Sequence, residues 1–202
     1  FKKPLIISTG MNSIESIRKT VSIVESYEIP YALLHCTNVY PTPPELVRLD
    51  AVRKLQIEFP NAVIGLSDHT INNYTSLGAV SLGCSIIERH FTDSKNREGP
   101  DIVCSMDPAE LKNLIEGAKT LFLARGSHKG PIEEENPCIN FAFASVVSTA
   151  SIKKGEKFST RNIWVKRPGN GDFNSEDYSS LLGKICLKDI EPGRQIKNTD
   201  VD

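Results

Sequence analysis

Gly65-Leu-Ser-Asp-His-Thr70 and Glu88-Arg-His-Phe-Thr92 each place a histidine at the end of an apolar, strand-like run. A helix-length stretch with a further strand behind it separates them, so His69 and His90 fall on neighbouring parallel strands, one helix apart. Two imidazoles at adjacent strand ends can hold a metal or a phosphate.

Outward from this pair, Pro4-Leu-Ile-Ile-Ser-Thr-Gly10, Tyr31-Ala-Leu-Leu-His-Cys-Thr37, Ala62-Val-Ile-Gly-Leu-Ser-Asp-His69 and Ser85-Ile-Ile-Glu-Arg-His90 are all apolar runs that end in polar residues. Their apolar character is continuous rather than alternating, the pattern of parallel strands covered on both faces. A helical segment follows each. Ser13 caps the first, with Ile14, Ile17, Val21 and Val24 at helical spacing. The second starts after Pro43-Pro44 with Leu46, Leu49 and Leu55 on one stripe, and the third follows Asn72 or Asn73. The fourth opens on Asp107-Pro-Ala-Glu110, an N-cap with proline at N1 and glutamate at N3. Strand then helix, four times, predicts a parallel α/β fold. Four such units make half of an eight-stranded barrel, which takes about 250 residues when complete. Half a barrel leaves costly open edges, so this pattern admits either the last four units of a barrel or a small open sheet.

From Gly126 to Asn140 the composition turns polar, which sets an α/β domain at 1–125, a linker at 126–140 and a second domain at 141–202. In the second domain Ile152-Lys-Lys-Gly-Glu-Lys-Phe-Ser-Thr-Arg-Asn-Ile163 is echoed by Ile190-Glu-Pro-Gly-Arg-Gln-Ile-Lys-Asn-Thr-Asp-Val201. The copies align on Gly155 and Gly193, with Phe158 matching Ile196 and Asn162 matching Asp200. Such duplication predicts a small β-rich domain with a pseudo-twofold axis.

At 202 residues and 39% hydrophobic content, the chain can bury a sizeable core. A net charge of -1 gives no bulk electrostatic footprint for nucleic acid. No apolar run approaches the roughly 20 residues that span a bilayer, so neither nucleic acid nor membrane is expected as a partner. Five widely spaced cysteines, at 36, 84, 104, 138 and 186, read as the reduced thiols of a cytoplasmic protein. The chain opens on Phe1 rather than Met, which leaves room for a segment upstream.

In a parallel barrel the chemistry sits at the C-terminal strand ends. The polar clusters fall there: Ser8-Thr9, His35 with Thr37, Asn38 and Tyr40, Ser67-Asp68-His69, and Glu88 with His90. Two imidazoles leave open positions on a metal, which suits Lewis-acid work on a carbonyl; by ligand type Zn, Mn and Fe all fit. His35 lies inside its run and reads as a satisfied core histidine, while spacing disfavours Cys36 and Cys104 as ligands. Glu88 and Arg89 read as a strand-end ion pair. Asp101, in Gly99-Pro-Asp101, is placed to accept a hydrogen bond from a polyol or to serve a turn. The turn Trp164-Val-Lys-Arg-Pro-Gly-Asn-Gly171 sets Lys166 and Arg167 among turn formers, as an anion-binding corner or a solvated loop.

Taken in order, Ile-Ser-Thr-Gly-Met-Asn (7–12), Leu-Leu-His-Cys-Thr-Asn-Val-Tyr-Pro-Thr-Pro (33–43), Ile-Gly-Leu-Ser-Asp-His-Thr (64–70), Glu-Arg-His-Phe-Thr (88–92), Gly-Pro-Asp (99–101) and Val-Lys-Arg-Pro-Gly-Asn-Gly (165–171) closely resemble the sialic acid (N-acetylneuraminate) synthase family. The resemblance implies a partial (β/α)8 TIM barrel, its last four βα units, joined to a small β-rich antifreeze-like (SAF) domain. It also implies condensation of phosphoenolpyruvate with N-acetylmannosamine, release of phosphate, and a divalent ion, Mn²⁺ first with Mg²⁺ or Co²⁺ as alternatives. On this resemblance His69 and His90 hold the metal, Ser8 and Ser67 bind phosphoenolpyruvate, and Asn38, Tyr40 and Asp101 meet the acetamido sugar. Arg167 and Phe141 would act across a domain-swapped homodimer. The family's acid–base glutamate and phosphate-binding lysine belong to strands upstream of this segment. No acid–base residue is therefore assigned, and the isolated chain is expected to be inactive. The rivals are legionaminic or pseudaminic acid synthesis on a diamino sugar, a non-catalytic interaction module, and a divalent-metal hydrolase with water as sole nucleophile.

Overall fold

The computed structural model describes residues 3–126 and 129–202, which fall into two compact units divided at residues 127 and 128. In the first, β1 (Leu5–Ser8), β2 (Tyr31–Cys36), β3 (Val63–Asp68) and β4 (Ile86–Arg89) form one parallel sheet in sequence order. The strands alternate with α1 (Ile14–Ser26), the pair α2 (Pro44–Val47) and α3 (Asp50–Glu58), α4 (Tyr74–Ser81), and α5 (Pro108–Ala124). This is a parallel half-barrel sheet, and its outer strands, β1 and β4, each have one neighbour.

Parity along the strands divides the sheet into two faces. Leu33 and its register partner Ile64 turn to the helices, where they meet Ile17 and Val21 of α1, Val52 and Leu55 of α3, and Ala79 of α4. Leu33 is fully buried, and burying one leucine contributes about 1.5–3 kcal/mol. The caps form as expected: Ser13 accepts from Ser16 N–H at 3.3 Å. Asp107 and Glu110 close a reciprocal capping box, with bonds of 2.8 and 3.0 Å. The single second helix expected from the leucine stripe is instead two. Arg48 adopts a left-handed conformation (φ 56°) and ends α2, leaving Leu46 exposed while Leu55 stays in the core.

The second unit holds α6 (Asn136–Ala142), the antiparallel pair β5 (Ser145–Ser148) and β6 (Ile163–Lys166), and α7 (Tyr178–Leu181). The last part of the stretch read as a linker is thus helical, with a 3-10 turn at Glu133–Glu135 before α6. The duplication is realised in three dimensions. Ile152 and Ile190 exchange backbone bonds at 2.9 and 2.8 Å. Gly155 donates to Cys186 O and Gly193 to Ser148 O, both at 2.8 Å. Both glycines have positive φ (88° and 79°), open to glycine at little cost. Asn162 accepts from Ser159 N–H at 2.7 Å, and its counterpart Asp200 from Lys197 N–H at 2.9 Å. Val146, Ile152, Phe158, Ile163, Leu181, Ile190 and Ile196 fill the core between the copies.

No described helix is long and apolar enough to cross a membrane. All five cysteines are free thiols. Because Ile152 and Ile190 are equivalent, fully buried positions, Ile152→Ala and Ile190→Ala should destabilise the second unit by similar amounts, about 2–5 kcal/mol each. Urea unfolding of the two variants checks this.

Candidate active site

Register decides which side chains share a face. Ser8 pairs with Leu34, Cys36 with Ser67, and Ser67 with Glu88. Ser8, Cys36, Ser67 and Glu88 therefore face away from the helices, and His69 and His90, one step past Asp68 and Arg89, return to that face. The two imidazole centres lie 5.3 Å apart with their planes at 60°. Tyr40 stacks on His69 at 4.1 Å and meets His90 edge-on at 5.9 Å.

Backbone contacts set the orientation of His69. Its Nδ1 lies 3.0 Å from Thr37 O; since a carbonyl only accepts, Nδ1 is the donor, and in the neutral imidazole the lone pair is then on Nε2. Thr42 N–H donates to His69 O at 2.9 Å, which binds the β2–α2 loop to the end of β3. Cys36 Sγ, disfavoured by spacing, lies 3.9 Å from His69 Nδ1, close to the imidazole though on its protonated side. His90 Nδ1 is 3.8 Å from Asp101 Oδ2. Asn38 is pressed against Gly10, where an added Cβ would fall 1.7 Å from Asn38 Oδ1, so that turn accepts only glycine without moving Asn38. Burial, reinforced by the neighbouring Cys36 and Asp101, raises the Tyr40 phenol pKa, so Tyr40 stays a neutral hydroxyl.

Ser67 donates to Glu88 Oε1 at 2.7 Å, and Ser8 is exposed on β1. Glu88 and Arg89 do not form the expected ion pair: as strand neighbours they point to opposite faces, and Arg89 instead binds the β3–α4 loop through Thr70 O, Asn72 O and Asn73 Oδ1. Phe141 and Arg167 belong to the second unit, both exposed. There Gly169 N–H donates to Asn140 O at 3.0 Å, tying the turn after Arg167 to α6.

Among the described residues no group of three or more His, Cys, Asp or Glu side chains is placed to hold a metal ion. Two histidines alone would leave positions open on an ion, and the 5.3 Å separation of their rings matches that of a shared one. Imidazoles bound to a shared ion through one nitrogen each at about 2.1 Å, at a near-tetrahedral angle, hold their centres about 5 Å apart. Thr37, in turn, leaves Nε2 of His69 available, the arrangement that orients metal-binding histidines.

Residues 1–130 match the NeuB family and residues 143–202 the SAF domain. The chain is 38% identical to the N,N'-diacetyllegionaminic acid synthase of Campylobacter jejuni subsp. jejuni, over 96% of this chain and 59% of that protein. It is 32% identical to the N-acetylneuraminate-9-phosphate synthase of Homo sapiens, over 99% of this chain and 56% of that protein. The crystal structure of spore coat polysaccharide biosynthesis protein SpsE from Bacillus subtilis aligns with a TM-score of 0.59 at 31% identity, covering 100% of this chain and 62% of that one. This chain spans less than two thirds of the length of each.

His35 is the core histidine its position suggested, with Nε2 2.6 Å from Val47 O. Burial lowers its pKa below the usual 6.5. Neutral His35 favours the fold. As pH falls below 6.5 the unfolded chain takes up a proton that the folded state resists, and stability is lost toward the folded pKa. Urea stability should therefore drop more steeply from about pH 7 to pH 5 in the parent than in His35→Gln.

Proposed function

This chain belongs to the NeuB family, with a SAF domain following the family segment, and on that premise we propose that it is the C-terminal portion of a synthase that condenses phosphoenolpyruvate with N-acetylmannosamine and releases phosphate. The observation that carries this reading is the convergence of His69 and His90 at 5.3 Å from adjacent strand ends, with Tyr40 packed on both. A divalent ion bound there, Mn²⁺ with Mg²⁺ or Co²⁺ as substitutes, supplies Lewis-acid polarisation of the sugar aldehyde. Thr37 O holds the His69 ring and proton in place. Ser8 and Ser67 offer hydroxyls to the anionic groups of phosphoenolpyruvate. Asn38, Tyr40 and Asp101 meet the acetamido and hydroxyl groups of the acceptor. Sites that pair with hydroxyl and amide groups reject analogues lacking them. Carbon–carbon bond formation, addition of water to the former enol carbon and departure of phosphate complete the reaction. The acid–base residue is assigned to the segment upstream. Phe141 and Arg167 act on a partner's barrel in a domain-swapped homodimer, in the cytoplasm.

A second reading, in which the acceptor carries two acetamido groups, is favoured by the 38% identity to a legionaminic acid synthase, against 32% for the human sialic acid enzyme. The test is phosphate release by the protein with its upstream segment, given phosphoenolpyruvate and either acceptor. N-acetylmannosamine should be used, and His69→Ala and His90→Ala should each lower kcat/KM by about a hundredfold or more, equivalent to the several kcal/mol a bound cation contributes. Parent-like activity in both histidine variants, or turnover without phosphoenolpyruvate, would refute the assignment. Preference for the diacetamido sugar would select the second reading.

A further inference from the structure

Arg89 stands on the helix-covered side of β4, in register with Asp68 of β3. Its guanidinium donates to Thr70 O, to Asn72 O at 2.7 Å and to Asn73 Oδ1 at 2.7 Å. At the other end of the same residue, Asp68 Oδ1 accepts from Thr70 N–H at 2.9 Å. Asp68 Oδ2 accepts from the Thr75 and Ser76 hydroxyls at 2.5 and 2.6 Å, which fastens the start of α4 as well. Thr70 is thus gripped by both strands. It directly follows His69, and Arg89 directly precedes His90.

No carboxylate lies within salt-bridge distance of Arg89 among the described residues, so its charge is directed to backbone and amide oxygens. Its Nε is buried without a partner, a loss the three Nη bonds must offset. A planar guanidinium can bridge three acceptors around one loop, which a single ammonium holds less well.

We propose that Arg89 is a positioning residue: by anchoring Thr70, the residue after His69, to the strand that leads into His90, it sets the spacing of the two imidazoles for one divalent cation. Because the role depends on His69 and His90 being metal ligands, the experiment separates the two. Mn²⁺ is titrated into the protein with its upstream segment, free ion is followed by electron paramagnetic resonance, and circular dichroism controls for folding. Arg89→Gln and Arg89→Met should each weaken Mn²⁺ binding by about tenfold, the loss usual for outer-sphere supports of metal ligands. Arg89→Lys should weaken it less, and His69→Ala and His90→Ala should abolish it. Parent-like affinity in whichever of the Gln and Met variants folds, with binding lost in the histidine variants, overturns the positioning role alone. Retained binding in the histidine variants overturns the metal reading and this role with it.

Discussion

Everything at the proposed site depends on the hydrogen-bond register between β3 and β4. Gly65 pairs with Ile86, Leu66 with Ile87, Ser67 with Glu88 and Asp68 with Arg89, so the next residues on each strand are the two histidines. Side chains alternate with period two, and a slip of one residue would send His90 among the helices and Arg89 to the opposite face. Gly65 helps exclude that slip: a Cβ there would come within 2.5 Å of both Ile86 O and Leu34 Cδ2, so β3 lies closer to its neighbours than any other residue permits. Where the strands are locked, the chemistry follows.

Parity also explains why three histidines of similar sequence context have different fates. His35 pairs in register with Leu66, on the face that packs against α2 and α3, and spends its proton on Val47 O. His69 and His90 have the opposite parity and turn to the face away from the helices. The distinction is one of strand phase, and it agrees with the sequence: Leu-His-Cys lies inside its apolar run, whereas His69 and His90 each follow the last residue of a strand.

Much of this was legible in the residues. Continuous apolar runs located all four strands; β2 and β3 are buried on both faces as that pattern implies, whereas the outer strands β1 and β4 keep the apolar run but stand largely open. Ser13 and the Asp107/Glu110 box marked helix starts, because caps are short-range devices. The break at Arg48 was not visible, since a left-handed arginine follows from loop geometry rather than from any side-chain preference. The closeness of Cys36 to His69 and the grip of Arg89 on the β3–α4 loop were hidden for a related reason. Both are contacts between strands and loops distant in sequence, and spacing along one chain carries no information about them. Arg89 was misread as a partner of Glu88 because adjacency in sequence suggested a contact that pleating forbids.

The exchange of backbone bonds between the two copies in the second unit bears on how that unit assembles. The turn glycine of each copy donates to the residue four positions ahead of the other copy, Gly155 to Cys186 O and Gly193 to Ser148 O, so neither copy satisfies its turn glycine alone. The halves are interleaved, and every stabilising contact across the axis must wait until some forty residues of chain have been brought together. Such a body has no foldable half-way house: it should form slowly, in a single concerted transition, and come apart in the same way.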